Sequence, residues 1–376
     1  MLVEIHQIES MKKFKVIISG GGTGGHIFPA LAIAKAIEKK VDKVEFLFVG
    51  AEDRMEMEKI PAAGYKIVGL WISGLQRNLS KRNLLFPFKL ISSLLKARKI
   101  IKQFKPDLAI GTGGYASGPL LFAAANKGVP SLIQEQNSYP GITNKILAKY
   151  VQKICVAYDN MERFFGDEKL IITGNPIRDD ILSFDTKVKA GKKLFNIDVS
   201  KPTVLVVGGS LGAYTINNAI ASNLSDFKTA NVNLIWQTGI SFQDQAKELT
   251  RQVSVNGIQA HTFIKEMDLA YAIADVIVSR AGAIAISELC CVGKPIILIP
   301  SPNVSENHQY KNAQSLVNKN AALLVKDSDA SRKLVYKVLE LLKDTIKQKE
   351  LSNNIKKLAV KNAADRIAEI ALSLIK

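Results

Sequence analysis

The sequence predicts an α/β protein made of two Rossmann-like domains facing one another across a cleft. Three observations lead there. Apolar runs of strand length alternate with helical patterns along the whole chain, as in parallel α/β structure. Glycine-rich turns follow several of those runs and open helices. The two halves also echo each other: "GGGTGGHIFPALAIA" (20–34) has a counterpart in "GGSLGAYTINNAIA" (208–221), and "LAIGTGGYASGPLLFAAANKGVPSLIQEQN" (108–137) matches the layout of "VIVSRAGAIAISELCCVGKPIILIPSPN" (276–303).

In the first half the strands are "KVIIS", "VEFLFVG", "LAIGTG", "PSLIQEQ", "KICVA" and "KLIITG". The second half offers "TVLVVGGS", "NLIWQTG", "IQAHTFI", "VIVSRAG", "PIILIPSP" and "AALLV". Gly128 and Gly293 suit helix C-caps, with Pro130 and Pro295 just beyond to stop the helices. "GNPIR" and the polar stretch "DDILSFDTKVKAGKKLFNIDVSKP" form the linker region and the entry to the second half. Two facing sheets of this kind bring strand C-termini and helix N-termini around one site.

Composition narrows the function. The chain has 376 residues, 47% hydrophobic and 23% charged, an ordinary globular balance. No uninterrupted apolar run of membrane-spanning length occurs, and "MLVEIHQIES" lacks the apolar core of a signal peptide. A second start-like string at Met11 marks the first ten residues as a loose extension. Cys155, Cys290 and Cys291 are the only cysteines, which implies a reducing, cytoplasmic setting with no disulfide and no zinc site. Net charge is +17, and no acid occurs between Glu58 and Asp107. Within that basic window Leu90, Leu94, Ala97, Ile101 and Phe104 recur at helical spacing and face a core. Leu75, Leu79, Leu85 and Phe86, beside Arg82 and Lys89, are more apolar surface than one buried face needs. They point to an anionic membrane surface, while no nucleic-acid-binding signature accompanies the charge.

Gly20, Gly22 and Gly25 have the spacing of a dinucleotide fingerprint. The ribose-binding acid it needs is poorly placed: Glu45 opens its strand, and Glu52 and Asp53 follow the strand's end. His26 at the loop's exit is either a helix-start hydrogen-bonder or a general base. "GGSLG" (208–212) also fits a hydrolase elbow with Ser210 as nucleophile, which requires an acid and a histidine such as Asp275 and His308. As the opening of a second matched domain it reads better as a diphosphate site at a helix N-terminus, with Arg178 supplying charge. Glu288 in "SRAGAIAISE" is a ribose-hydroxyl acceptor or an ordinary exposed helix acid. The amides of "NHQYKNAQ" suit sugar hydroxyls. Asp327-Ser-Asp329 reads as a helix N-cap region, and no cluster has metal-ligand spacing.

"GGTGGHIFPALAIA", "GTGGYASGP", "QEQNSYPGITNK", "GNPIR", "GGSLGAYTIN", "FIKEMDLAYAIADVIVSRAGAIAISEL" and "NHQYKNA", in that order, resemble the membrane-associated UDP-N-acetylglucosamine transferases of peptidoglycan synthesis, the MurG family. The resemblance runs from Lys13 to the C-terminal helix. It implies the two-domain glycosyltransferase-B fold, with residues 1–174 binding acceptor and membrane and residues 175–376 binding UDP-GlcNAc. The last helix would pack back toward the first domain.

It implies an inverting, metal-independent enzyme without cofactor, on the cytoplasmic face of the plasma (inner) membrane. The acceptor would be an undecaprenyl-diphosphate-linked muramyl-pentapeptide, with other cell-wall synthesis proteins as further partners. By the same resemblance Thr23, Gly24 and Gly25 belong to the first donor-contacting loop, which would cradle the reacting sugars and diphosphate, and Asn137 and Arg178 make further donor contacts. Ser210 binds the donor diphosphate, Ile264 meets the uracil by its backbone, and Ala283, Ile284, Ala285, Ile286, Ser287 and Glu288 hold nucleotide and ribose. Gln309 contacts the sugar, Gly113, Gly114 and Tyr115 hold the acceptor diphosphate, and His26 is the base. His308 and Leu211 stand where the family often has glutamine. A dinucleotide oxidoreductase, a serine hydrolase, a sugar-nucleotide epimerase and a diacylglycerol glycosyltransferase are the alternatives.

Overall fold

The computed structural model describes residues 13–74, 84–209, 211–255 and 257–375. It divides between Ile177 and Arg178 and again between Lys361 and Asn362. The chain from Asn362 onward belongs with the first unit, and 178–361 form the second.

In the first unit seven parallel strands run in the order β3-β2-β1-β4-β5-β6-β7. They are β1 (Phe14–Gly20), β2 (Val44–Ala51), β3 (Lys66–Leu70), β4 (Leu108–Gly113), β5 (Ser131–Glu135), β6 (Lys153–Val156) and β7 (Leu170–Ile172). The continuous apolar run of β1 is what a strand covered on both faces requires. Val16 and Ile18 point to one face, against Ile27, Ile33 and Ile37 of helix Gly24–Glu38 and Ile367 of helix Ala363–Leu372. Ile17 points to the other, where Ala97 and Ile101 of helix Phe86–Phe104 and Leu120 and Leu121 of helix Ser117–Ala125 pack. The expected inward face of helix Phe86–Phe104 is present: Ala97 and Ile101 are buried, and Leu90, Leu94 and Phe104 are half-buried. The Lys40–Glu369 ion pair at 2.8 Å helps hold the C-terminal helix on this unit.

Six parallel strands form the second sheet, in the order β10-β9-β8-β11-β12-β13. They are β8 (Thr203–Val207), β9 (Asn233–Gln237), β10 (Ile258–His261), β11 (Val276–Ser279), β12 (Ile296–Leu298) and β13 (Leu323–Leu324). Trp236 is fully buried in this core, its indole N–H donating to Asn217 Oδ1 at 3.0 Å. Gly293 ends helix Ala283–Val292 in the left-handed conformation, as its position predicts. Gly128 has the same sign of φ but lies beyond the Asn126 C-cap.

Two expectations change. β3 is an additional edge strand: its Lys66, Ile67 and Val68 are not buried, so "KIVGL" lacks the apolar contrast of the other strands. The polar stretch after "GNPIR" is packed helix rather than linker. A 3₁₀ segment, Asp179–Lys187, leads into helix Val188–Leu194, which packs against helix Met267–Ile273. A Cβ on Gly191 would stand 2.6 Å from the Leu269 carbonyl oxygen, so only glycine permits that approach. Lys187 pairs with Asp268 at 2.6 Å across the same contact.

Candidate active site

In open parallel sheets, ligands bind beyond the strand C-termini where the strand order reverses. In the first unit that place is between β1 and β4, whose ends pair Gly20 with Gly113. Helix Gly24–Glu38 starts there, with Thr23 as its N-cap, and His26 lies in its first turn. Gly113 (φ +103°) and Gly114 (φ +90°) sit in the region that favours glycine. A Cβ on Gly113 would lie 2.7 Å from the His26 ring, and one on Gly114 would collide with the Gly21 backbone. Gly21 N–H donates to the Gly113 carbonyl at 3.3 Å. The two glycine loops named by the sequence are thus in backbone contact, with His26 against them and Tyr115 exposed beside them.

The His26 ring is held at one nitrogen. Nδ1 lies 2.9 Å from the Thr112 carbonyl and 3.0 Å from Gln136 Oε1, and the Thr112 hydroxyl donates to the His26 carbonyl at 2.8 Å. The bland reading of His26 as a helix cap is not what the structure shows, because its ring bonds to β4 and to the loop after β5. Two fully or nearly buried carboxylates brace the surrounding loops. Glu56 accepts from Gly22 N–H at 2.8 Å and Ala51 N–H at 2.9 Å. Glu135 accepts from Asn137 N–H at 3.0 Å, Asn137 Nδ2 at 3.1 Å, Gly141 N–H at 3.1 Å and Asn144 Nδ2 at 2.8 Å. Asn137 therefore presents its side chain from a loop fixed by Glu135.

Glu56 takes up one of the groups that a dinucleotide fingerprint would offer to a phosphate. The N–H of Gly22 is occupied by a carboxylate, and among the described residues no ion pair reaches Glu56 to offset its charge. Gly24 and Gly25 still open a helix whose first N–H groups have no intrahelical partner.

The corresponding reversal in the second unit lies between β8 and β11, and its bracing is neutral. Gln237 donates through Nε2 to the Gly209 carbonyl at 3.0 Å and accepts from Ile264 N–H at 3.0 Å. A Cβ on Gly212 would strike the Thr238 carbonyl, while Gly209 borders open space. Ser210 lies outside the described residues. Since the Ile264 N–H is engaged by Gln237, a base read at that position would meet the carbonyl oxygen. The hydrolase alternative fails on position. Asp275 precedes β11 and accepts from Thr203 N–H at 2.7 Å, at the opposite end of the sheet from the turn carrying Ser210.

Helix Ala283–Val292 begins after β11. Ala283, Ile284, Ala285 and Ser287 lie in its first turns, but the Ile286 side chain is buried in the core, so it offers a ligand at most its backbone. Glu288 is 8% exposed, which excludes an ordinary surface acid. Arg178 Nε pairs with it at 3.2 Å, its guanidinium also lies 3.6 Å from Asp180, and the buried Tyr271 belongs to the same electrostatic cluster. Burial pushes the Glu288 carboxyl above the usual range, against the pull of Arg178 and Tyr271. The expected division of labour, Arg178 on diphosphate and Glu288 on ribose, is thus one coupled pair in this state. Gln309 accepts from Ser301 N–H at 2.9 Å. Asp329 is the N-cap position of helix Ala330–Lys343, as the Asp327-Ser-Asp329 string predicts, while Asp327 pairs with Arg280 and accepts from the Thr215 hydroxyl at 2.9 Å, tying the end of β11 to the helix after β8.

Of the membrane residues, Leu75, Leu79 and Arg82 lie outside the described residues. Leu85 is exposed, while Phe86 and Lys89 are half-buried; the Lys89 ammonium bonds Ser73 Oγ at 3.0 Å and lies over the Trp71 ring. Leu84 and Phe88, inside the apolar stretch from Leu75 to Phe88, are 74% and 66% exposed, and Ile91 and Leu95, which the sequence did not single out, extend the same face at 58% and 60%. Among the described residues no helix is long and apolar enough to cross a membrane, and no three or more His, Cys, Asp or Glu side chains gather as metal ligands would.

Residues 16–156 match the glycosyltransferase family 28 N-terminal domain, and residues 203–367 match the C-terminal domain of that family. A protein of Cytophaga hutchinsonii named UDP-N-acetylglucosamine–N-acetylmuramyl-(pentapeptide) pyrophosphoryl-undecaprenol N-acetylglucosamine transferase is 53% identical, over 97% of this chain and 98% of its own. Its namesake in Parabacteroides distasonis is 51% identical over 97% and 99%. The chain belongs to the MurG family. The crystal structure of Acinetobacter baumannii MurG superposes with a TM-score of 0.76 at 27% identity, covering 96% of this chain and 99% of that one. The glycosyltransferase-B fold expected of a MurG-family protein is the one observed. Sequence reasoning did not single out Glu56, Glu135, Gln134, Gln136 or Asn175. The last four lie inside "QEQN" and "GNPIR", strings quoted for the family, while Glu56 carries no pattern of its own.

The Arg178–Glu288 pair gives a pH-dependent test. A carboxyl raised in the folded state binds more protons there than when unfolded, so its contribution falls as pH rises above about 4.5. Arg178→Ala removes the opposing charge and widens that window. Urea unfolding should show a loss of roughly 1–3 kcal/mol at pH 8, moderated by the guanidinium's partial exposure, and a smaller loss at pH 5. Equal losses at both pH values would contradict the pairing.

Proposed function

We propose that the protein is the inverting glycosyltransferase that moves N-acetylglucosamine from UDP-GlcNAc to the muramyl-pentapeptide of an undecaprenyl-diphosphate-linked acceptor, making lipid II from lipid I. Identity of about half the residues with the namesake enzymes across nearly the whole chain supports the reaction. The single structural observation that carries the mechanism is the His26 ring, held by Nδ1 at a strand-order reversal beside three glycines.

In this reading His26 takes the proton from the acceptor hydroxyl as its oxygen attacks the anomeric carbon. The new C–O bond forms as the bond to the β-phosphate oxygen breaks, and UDP leaves with the electron pair from the opposite face. An α-linked donor therefore gives a β-linked product. Thr23, Gly24, Gly25 and Asn137 lie near enough to His26 in sequence or fold to position the sugar. Gly113, Gly114 and Tyr115 hold the acceptor's diphosphate. In the second unit, the turn braced by Gln237 at Gly209, together with Ser210 and the Arg178 guanidinium, stabilises the leaving diphosphate. Ile264 reads the base, the helix from Ala283 to Glu288 holds the ribose, and Gln309 meets the sugar.

Attachment is peripheral, at an anionic membrane on the cytoplasmic side, through the Leu84, Phe88, Ile91 and Leu95 stripe and its basic neighbours. Each fully buried side chain of this size contributes about 1.5–3 kcal/mol. Changing Leu84, Phe88, Ile91 and Leu95 to serine should therefore abolish co-sedimentation with anionic vesicles and leave transfer to a short-chain soluble acceptor intact. Undiminished vesicle binding would remove this face from the account.

Loss of a general base costs about 10²–10⁴ in rate. His26→Ala should lower kcat by that factor while UDP-GlcNAc affinity, measured by calorimetry, stays within a few fold. A variant with near-wild-type kcat would sink His26 as the base.

A further inference from the structure

The histidine is held by more than a neighbouring carbonyl. Gln136 faces His26 Nδ1 with Oε1 at 3.0 Å, and its Nε2 donates to the Thr112 carbonyl at 2.7 Å, to the Gln134 carbonyl at 3.2 Å and to Gln134 Oε1. Behind it Gln134 Nε2 donates to Asn175 Oδ1 at 2.8 Å, and Asn175 Nδ2 donates to the Gln136 carbonyl at 3.0 Å. All three amides are at most 2% exposed.

An amide's two ends are assigned by the partners they face. Here the assignment has one solution. Rotating the Gln136 amide by half a turn would set its oxygen against three oxygens. Rotating Gln134 would set its NH₂ group against that of Gln136. Asn175 closes the row on a backbone carbonyl, which only accepts. The direction of the whole row is therefore fixed by backbone oxygens at its ends, and it leaves Gln136 Oε1 as an acceptor aimed at Nδ1. The Thr112 carbonyl is a second acceptor at the same atom, 2.9 Å away.

We infer that Gln136, backed by Gln134 and Asn175, is a positioning residue that fixes His26 in the Nδ1–H tautomer, so that Nε2 carries the lone pair that accepts the substrate proton. A neutral imidazole that bears its hydrogen on Nε2 has no lone pair to offer there. It would also turn an Nδ1 lone pair on two oxygens. The arrangement does for the histidine with neutral amides what a carboxylate does in other catalytic sites, and it adds no buried charge next to a reaction that expels an anion. This rests on His26 being the base, and the test separates the two claims.

The tautomer is read directly by long-range ¹H–¹⁵N correlation on protein labelled with ¹⁵N-histidine, the His26 signals being assigned by their loss in His26→Gln. Wild-type protein at pH 8 should show a pyrrole-type Nδ1 and an imine-type Nε2. Gln136→Met, which keeps the volume and removes the acceptor and donors, should give mixed tautomers. Its kcat should fall by about 10²-fold, the cost of a misplaced reacting group, with the KM for UDP-GlcNAc within three-fold. A pyrrole-type Nε2 in the wild type overturns the inference without any variant. So does Gln136→Met with both tautomer and kcat unchanged. Should His26→Ala keep near-wild-type kcat while the wild-type tautomer is as stated, the base reading fails and the tautomer assignment stands.

Discussion

The close approach of the loops after β1 and β4 is the constraint from which the rest of the first unit follows. Gly114 lies on the Gly21 backbone and Gly113 on the His26 ring, where no Cβ fits. That approach lets one carbonyl, Thr112, accept from both the histidine and Gln136, using the two lone pairs of a single oxygen. Ser117 Oγ donates to the Ser19 carbonyl at 3.1 Å and the Gly113 carbonyl at 2.8 Å, fastening the two strand ends below the loops. The site's precision comes from rigid strand ends and buried hydroxyls, and the loops inherit it.

The two units share a layout and differ in what braces their glycine turns. A buried carboxylate, Glu56, braces the first; an amide, Gln237, braces the second. The difference is electrostatic. In the first turn one backbone N–H is already committed to a carboxylate, whereas the side chain that holds the second carries no charge. The same distinction explains why a glycine spacing shared with dinucleotide-binding proteins misleads here. The spacing describes the space the backbone leaves, and Glu56, 34 residues after Gly22, takes up one of the N–H groups in it.

Much of this was legible in the sequence because it lives in period and punctuation. Unbroken apolar strands, glycine turns and Gly-x-Pro helix ends identified both sheets, and the repeated order of motifs identified the family. Side-chain pairing was not legible. Arg178 and Glu288 stand 110 positions apart, and no local pattern indicates that one answers the other. Gln134, Gln136 and Asn175 were visible as letters inside quoted strings, but an amide's orientation depends on oxygens brought by β4 and by the loop after β7. The edge strand β3 escaped for the opposite reason, its half-buried residues giving too little contrast. On helix Phe86–Phe104 the inward face was readable, but which outward residues remain bare depends on neighbours that only the fold supplies.

The central claim is direct displacement at the anomeric carbon with His26 as base and UDP as the leaving group. The most direct measurement is the anomeric coupling constant of the sugar in the product, formed from ¹³C-labelled UDP-GlcNAc and a lipid-linked muramyl-pentapeptide in the presence of EDTA, with UDP counted in the same sample. The account predicts a β-linked disaccharide and one UDP per linkage, with no UDP released when the acceptor is omitted. An α-linked product, or UDP release that proceeds without acceptor, would contradict it.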